Sequence, residues 1–166
     1  MVWSKKNKIL TLSGVFIVYL IILAAFFWKM ADNLRPDSLG AVKPIRGMAN
    51  IRLAGNNLSV EVVNTPADLY QGLSGRESLC PDCGLLFNFP DESERNFVMR
   101  DMKFPLDIIF INQNEVKNII AGALPEGPQP TKIYSSAGLA RQVLEVNAGY
   151  CASHDIKPGD RIESIQ

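Results

Sequence analysis

The sequence predicts a mostly β domain, a barrel or sandwich of antiparallel strands with two short helices, preceded by one N-terminal transmembrane helix. The β prediction rests first on alternation, because apolar and polar residues follow one another in runs such as LSVEV at residues 58–62. It rests also on Pro and Gly residues that separate several short apolar runs. Many short strands with few helices favour a barrel or a sandwich. The transmembrane prediction rests on residues 9–28, which carry no charge.

The uncharged stretch is long enough to cross a bilayer, because about 20 residues of helix span about 30 Å. A cleaved secretory leader has a shorter apolar core that ends in small residues, whereas this core ends in Phe26, Phe27 and Trp28. We therefore expect an uncleaved signal anchor. A removed leader is the alternative.

Three lysines predict the orientation of this stretch. Lys5, Lys6 and Lys8 precede it closely, and positively charged flanks stay on the cytoplasmic side. We therefore expect a single-pass protein of the cell membrane, with its N-terminus inside and its C-terminal domain extracytoplasmic. The first expected partner is the membrane, contacted through residues 9–28.

The chain divides into three predicted parts. Residues 1–30 form a cytoplasmic stub and the anchor, and residues 31–50 form a linker, because Pro and Gly stand there among polar residues without a sustained apolar period. Residues 51–166 are enough for one extracytoplasmic domain with its own core. The 17 basic side chains are matched by 17 acidic ones, so nucleic acid is not an expected partner.

The extracytoplasmic domain contains seven strand candidates and two helix candidates. The first helix has Thr65 as its N-cap, Pro66 at its first position and Asp68 in its first turn, and should end near Gly75. The second should run from residue 147 to about residue 154, before a turn rich in Pro and Gly. The strand candidates are residues 58–62, 84–89, 97–102, 106–111, 116–121, 142–146 and 161–165.

Seven ordered motifs resemble the domain of unknown function 192 (DUF192) family, over nearly everything after residue 58. The resemblance implies a compact, mostly β domain that is commonly exported in bacteria and archaea, without an established activity. The motifs are QGLSGRESL at 71–79, GLLFNFP at 84–90, FVMR at 97–100, PLDIIFI at 105–111, YSS at 134–136, VLEVNAG at 143–149 and KPGDR at 157–161.

The chain departs from that family pattern at three places. The family usually has Trp where Val98 stands and a Lys-Asn pair where Arg100 and Asp101 stand. A site built on that tryptophan would be altered here. Between residues 79 and 84 the family generally has acidic residues, whereas this chain has a Cys-Pro-Asp-Cys sequence.

The three cysteines and the one histidine form two pairs with the spacing of zinc ligands: Cys80 with Cys83, and Cys151 with His154. Together they could hold a structural zinc ion that fixes the Cys80 loop to the second helix. A Cys80–Cys83 disulfide is the competing interpretation, because cysteines outside the cytosol are usually oxidised. In a third interpretation, the cysteines are free or buried thiols and the histidine is a buried, hydrogen-bonded side chain. Thiol-disulfide exchange is less favoured, since a strand rather than a helix follows the pair.

Asp107 and Arg76 form one expected ion pair. In the strand 106–111, Asp107 shares a side with Ile109 and Ile111, so an ionised acid there needs a charged or hydrogen-bonding partner. Arg76 is the expected partner.

A second opposite-charge pair is expected on the strand 142–146, where Glu145 points to the same side as Arg141 and Val143. Such pairs either only fix strand register or border a ligand pocket with Met99 and Tyr134 as walls. The candidate ligand-binding residues are Arg76, Met99, Asp107, Tyr134, Ser135, Ser136 and Glu145.

These residues favour a membrane-anchored binding module for a small molecule, a glycan or a protein partner. An enzyme is the alternative: a hydrolase that uses Asp107 and Glu145, or a redox enzyme that uses Cys80 and Cys83. No nucleophile stands beside a base in a known catalytic motif, so no catalytic residue is assigned. A structural accessory subunit of a membrane complex is the third possibility.

Overall fold

The computed structural model describes residues 46–165, together with residues 22–25 and Lys29. Residues 46–165 form a mostly β domain, as the sequence predicts. It has two short helices and seven strands in one sheet, and the first of these strands was not among the strand candidates. The helices are α1 (Pro66–Gln71) and α2 (Tyr150–Ser153). The strands are β1 (Arg46–Leu53), β2 (Asn56–Val63), β3 (Cys83–Phe97), β4 (Leu106–Asn112), β5 (Glu115–Ala123), β6 (Tyr134–Asn147) and β7 (Ile162–Ile165).

The sheet has the strand order β5-β4-β6-β3-β2-β1-β7. Neighbouring strands are antiparallel, except that β2 and β3 are parallel. The expectation of a purely antiparallel sheet is therefore wrong at one pair. Parallel neighbours need a crossover connection, and residues 64–82, which include α1, supply it. This crossover lays α1 over one face of the sheet.

The two edges of the sheet approach each other at one end, which gives a half-barrel and not a sandwich. Glu115 at the start of β5 forms an isolated antiparallel bridge with Arg161, just before β7. The backbone N–H of Val116 donates to the carbonyl of Asp160 over 2.8 Å, and that of Ile162 donates to the carbonyl of Asn114 over 3.0 Å. These bonds satisfy edge groups that an open sheet would leave unpaired.

Both faces of the central strands are buried, so the sheet separates two apolar clusters. Ile109 and Ile111 of β4 belong to one cluster, whereas Ile108 and Phe110 belong to the other. Every residue of β4 is buried. A strand covered on both sides reads as a continuous apolar run, and PLDIIFI is such a run interrupted by one acid.

The N-terminus of α1 follows the sequence prediction, but the start of α2 and several other element bounds differ from it. Thr65 accepts a hydrogen bond from the backbone N–H of Asp68 over 3.2 Å, and Pro66 starts α1. The helix ends at Gln71, earlier than expected, because Gly72 has a φ of +52° that breaks the helical path. Residues 98–102 form a loop where a strand was expected, α2 starts at residue 150 and not at 147, and β1 begins at residue 46, inside the predicted linker.

The predicted membrane segment, residues 9–28, lies outside the described residues except for residues 22–25, which are helical. Within the described part of the chain, no helix has the length and hydrophobicity that a membrane crossing requires.

Gly84 marks the closest approach between β3 and its neighbours. A Cβ atom at this position would lie 2.8 Å from Cδ1 of Leu144 and 3.0 Å from the carbonyl oxygen of Glu145. We expect Gly84→Ala to lower the free energy of unfolding by about 1–3 kcal/mol through overpacking, measured by urea denaturation. Gly47→Ala is the control, because a Cβ there meets no atom within 4 Å. Equal stability of the two variants would show that β3 shifts freely.

Candidate ligand-binding cleft

A cleft of about 220 Å³ lies between α1 and the face of the sheet that α1 covers. Apolar and polar groups contribute about equally to its walls, since six aromatic or aliphatic side chains stand beside five polar or charged ones. The lining residues are Leu69, Tyr70, Gln71, Gly72, Ser74, Phe87, Phe89, Asn96, Phe97, Val98, Arg100 and Glu145.

Glu145 is the buried acid among the residues that line the cleft. It lies on the central strand β6, directly opposite Leu85 of β3 and Ile108 of β4. Partners that lie opposite each other share a face, so the carboxyl projects among apolar side chains. The residue is 5% exposed, and its Oε2 atom has no hydrogen-bond partner among the described residues. A buried polar atom without a partner is rare and marks a strained or functional position.

Burial also changes the protonation of Glu145. Removal from water raises the pKa of the carboxyl to about 8, and the positive charge of Arg76 only partly offsets that rise. At pH 7 the carboxyl is therefore mostly neutral. It can donate one hydrogen bond as well as accept.

Three phenylalanines form the aromatic side of the cleft. The rings of Phe87 and Phe97 meet edge to face with centroids 5.0 Å apart, and Phe89 meets Phe97 in the same way at 6.5 Å. Phe87 and Phe89 follow Leu85 at every second position of β3, so alternation places them on the face of Glu145. The wall is thus held by ring packing.

Arg100 lines the cleft at its mouth and contacts α1. Its guanidinium lies 3.9 Å from the ring centroid of Tyr70, and its Nη2 donates to the Tyr70 carbonyl over 2.7 Å. Ser74 donates to the carbonyl of Arg100 over 2.7 Å. These contacts hold the loop after β3 against the crossover segment. A cation therefore lines the opening.

Arg76 does not pair with Asp107, contrary to the sequence-based expectation. Its Nη2 lies 2.6 Å from Oε2 of Glu61 on β2. The pair borders a second hollow of about 210 Å³ that shares Gln71, Gly72 and Ser74 with the cleft. Arg76 stands after the crossover helix, so the nearest strand, β2, supplies its partner.

Asp107 lies on the opposite face of the sheet from Glu145. It pairs with Val146, the next residue along β6, and neighbouring positions of a strand point to opposite faces. Its two oxygens accept hydrogen bonds from the backbone N–H groups of Cys151 and Gly122, each over 2.9 Å. Asp107 therefore fixes the start of α2 and the bulge in β5, and does not reach the cleft.

The other four candidate residues also have structural contacts outside the cleft lining. Met99 and Tyr134 are buried in the apolar cluster on the face of Glu145, but neither lines the cleft. Ser135 donates to Glu94 over 2.6 Å, and Ser136 accepts from the backbone N–H of Arg95 over 2.9 Å. The two serines thus join β6 to β3.

Sequence reasoning identified Glu145 but missed the aromatic wall and the mouth. Phe87 and Phe89 alternate on a strand candidate, so the period-2 pattern carried that signal. No sequence pattern indicated the contact between Tyr70 and Arg100, because this contact depends on how the crossover packs against the sheet. Val98 lines the cleft at the position where the resemblance expects a tryptophan.

Cys80 and Cys83 are joined by a disulfide, one of the alternatives that the sequence left open. The sulfurs are therefore not free to bind zinc, and no cluster of metal ligands occurs within the described residues. Cys151 is a buried free thiol, and burial raises its pKa to about 12, with the Asp107 charge adding to the rise. His154 stacks on Tyr150 with ring centroids 3.9 Å apart. The Cys3His zinc site is thus not formed.

The disulfide closes a short loop that is anchored to β6. The side-chain amide of Asn147 donates to the carbonyls of Leu79 and Cys80 over 3.2 and 3.0 Å. We expect joint replacement of Cys80 and Cys83 by serine to lower the free energy of unfolding by about 2 kcal/mol, the entropy of a small closed loop. Reductant should destabilise the unmodified protein similarly and leave the double variant unchanged. An effect of reductant on the double variant would contradict this assignment.

Fold and cleft together define a small, mostly β half-barrel domain with a ligand-sized cleft beside its crossover helix. Comparison with family models gives a match over residues 49–164. The chain belongs to the DUF192 family, described as "Uncharacterized ACR". The family resemblance read from the motifs is thus confirmed.

Two solved structures share this fold. A protein of Sinorhizobium meliloti 1021, described as a "putative transcription regulator", is 30% identical, with a TM-score of 0.67 over 74% of this chain and 98% of that one. A protein of unknown function from Novosphingobium aromaticivorans DSM 12444 is also 30% identical, with a TM-score of 0.65 over 74% of this chain and 94% of that one. Comparison with curated proteins gives no match.

Proposed function

We propose that the domain is a binding module that holds a small molecule in the cleft between α1 and the sheet, at the extracytoplasmic surface of a membrane. The observation that carries this proposal is the Glu145 carboxyl, which lines a cleft beside three phenylalanines, is buried and has an oxygen without a partner in the described part of the chain. A buried polar group without a partner is unfavourable by about 1–3 kcal/mol. A ligand that hydrogen-bonds to this carboxyl would remove that penalty.

Binding is favoured over hydrolysis by the placement of the carboxylates. A glycosidase pair requires two carboxyl groups that flank one bond. Here Asp107 and Glu145 lie on opposite faces of the sheet, and both oxygens of Asp107 already accept backbone hydrogen bonds. The one hydroxyl in the cleft lining outside Tyr70 is that of Ser74, which is engaged with the carbonyl of Arg100. This arrangement supports recognition rather than cleavage.

The cleft can be tested by blocking it. Benzyl alcohol and indole, which are small enough for about 220 Å³, should shift the backbone NMR signals of Gly72 and Val98 in the domain. Val98→Trp should fill the space and abolish these shifts. Leu139→Trp, at an exposed position, should leave them unchanged. Shifts that persist in Val98→Trp, or that map to another surface, would overturn the cleft proposal.

Two observations support the proposed location. Residues 9–28 are uncharged over the length of a membrane-crossing helix, and disulfides such as Cys80–Cys83 persist mainly in oxidising compartments. The full chain, expressed in a bacterial host, should fractionate with membranes, and external protease should degrade its C-terminal domain in spheroplasts. A soluble cytosolic product, or protection from the protease, would overturn this location.

A further inference from the structure

The charges around Glu145 indicate which ligands the cleft accepts. Arg100 is the other charged side chain in the lining, and Arg76 is the charged side chain whose field reaches the Glu145 carboxyl. Because the Glu145 carboxyl is buried and mostly neutral at pH 7, Arg100 gives the lining a net positive charge at that pH. A cationic ligand would meet like charge there, whereas an anionic one would be attracted.

The elements packed around Glu145 do not reverse this balance. On β2, Glu61 is engaged with Arg76 at 2.6 Å, and on α1, Asp68 accepts from the Thr65 hydroxyl over 2.6 Å. Both acids border the adjoining hollow and not the cleft itself. The neighbours directly opposite Glu145 on the sheet, Leu85 and Ile108, are apolar.

We infer that the cleft takes a small organic carboxylate with a flat apolar body, its carboxylate seated against the Glu145 carboxyl and its ring against the phenylalanines. This inference rests on the proposed binding function and names its ligand class. The Glu145 O–H would donate to the ligand oxygen, and an O–H···O⁻ bond of this kind is short and strong. The charge of Arg100, the cation in the cleft lining, would stabilise the anion. Phe87, Phe89 and Phe97 would cover the ring.

Proton linkage follows from this arrangement. Donation requires the neutral form of Glu145, whose pKa is raised to about 8 by burial. As pH rises through that value, the carboxyl becomes an anion that repels a carboxylate. The affinity for a cationic ligand would instead rise with pH, because an ionised Glu145 attracts a cation.

The test compares three ligands of the same shape: benzoate, benzamide and benzylamine. We expect benzoate to bind the domain at pH 6 at least tenfold more tightly than either of the others, measured by isothermal titration calorimetry. Its affinity should fall about tenfold by pH 9, where roughly one-tenth of the Glu145 carboxyls remain protonated for a pKa of about 8. Benzamide that binds as tightly as benzoate, or benzylamine that binds more tightly, would overturn the anion preference.

Variants separate the role of Glu145 from a general effect of pH. Glu145→Gln keeps an N–H donor but cannot ionise, so its benzoate affinity should not change between pH 6 and pH 9. Arg100→Gln should weaken benzoate several-fold at both pH values and keep the pH profile. A Glu145→Gln variant with the unmodified pH profile would overturn the role of Glu145. If benzyl alcohol still binds in the cleft when benzoate does not, the anion inference fails while the binding function stands.

Discussion

Replacement of Asp107 by alanine is expected to lower the free energy of unfolding by about 2–4 kcal/mol. The residue is fully buried and accepts hydrogen bonds from the backbone N–H groups of Cys151 and Gly122, each over 2.9 Å. Alanine leaves both donors without their partner, and an orphaned buried N–H is unfavourable by about 1–3 kcal/mol. The loss should come mainly from Cys151, because its N–H is buried. Urea denaturation at pH 7 measures the change.

Two further variants make this prediction specific. Asp107→Asn keeps one acceptor oxygen and should lose about half as much stability as the alanine variant. Asp155→Asn removes a carboxylate that is almost fully exposed, so it should change stability by less than about 0.5 kcal/mol. Unchanged stability of Asp107→Ala, together with loss of benzoate binding, would return Asp107 to the list of ligand-binding candidates.

Stability should fall as pH rises from about 4.5 to about 8, because of Glu145. Its pKa is raised from 4.5 to about 8 in the folded protein by burial. Between pH 4.5 and pH 8 the Glu145 carboxyl releases its proton in the unfolded chain but keeps it in the folded domain. Each rise of one pH unit in this range therefore lowers the free energy of unfolding further. The contribution is complete below the unfolded pKa and lost once pH passes the folded pKa. Each unit of pKa difference corresponds to about 1.4 kcal/mol, so the total loss is about 3–5 kcal/mol.

Glu145→Gln isolates this contribution, since glutamine has the same shape and does not titrate. The difference in unfolding free energy between the two proteins should change steadily from pH 5 to pH 8 and level off above. Three other acids change stability outside this window. Hydrogen bonds lower the pKa of Asp91, Glu115 and Glu126, so their contributions to stability are lost only when the pH falls below the ordinary pKa range of a carboxyl group. A constant difference across pH 5–8 would show that Glu145 is hydrated in the folded protein.

Local patterns predicted the parts of the fold that local interactions determine. The Thr65 cap, Pro66, the alternating run of β2 and the apolar runs at the start of β3 and in β4 require only neighbouring residues, and they were predicted correctly. Residues 98–102 were predicted as part of a strand because apolar and polar residues alternate there. The prediction failed because a loop can bury the apolar side chains of such a run equally well. There the chain leaves the sheet, Arg100 contacts Tyr70 of α1, and Met99 and Met102 pack in the core.

The candidate site shows the same division between local and tertiary information. Alternation correctly placed Asp107 on the face of Ile109 and Ile111, but it could not show that backbone N–H groups from two distant segments satisfy the acid. It predicted a pair of Glu145 with Arg141, which the described residues do not form, since Oε2 of Glu145 has no hydrogen-bond partner among them. It could not show that Glu145 would lack a partner, because Arg76 is drawn to Glu61 on a strand reached through the parallel crossover.

The sequence by itself determined the family, the β character, the cap of α1 and the apolar face on which Asp107 lies. The tertiary structure alone decided which acid is satisfied and which lines a cleft. The physical reason is that periodicity assigns a side chain to a face, whereas its partners come from whichever segments the sheet order and the crossover bring to that face.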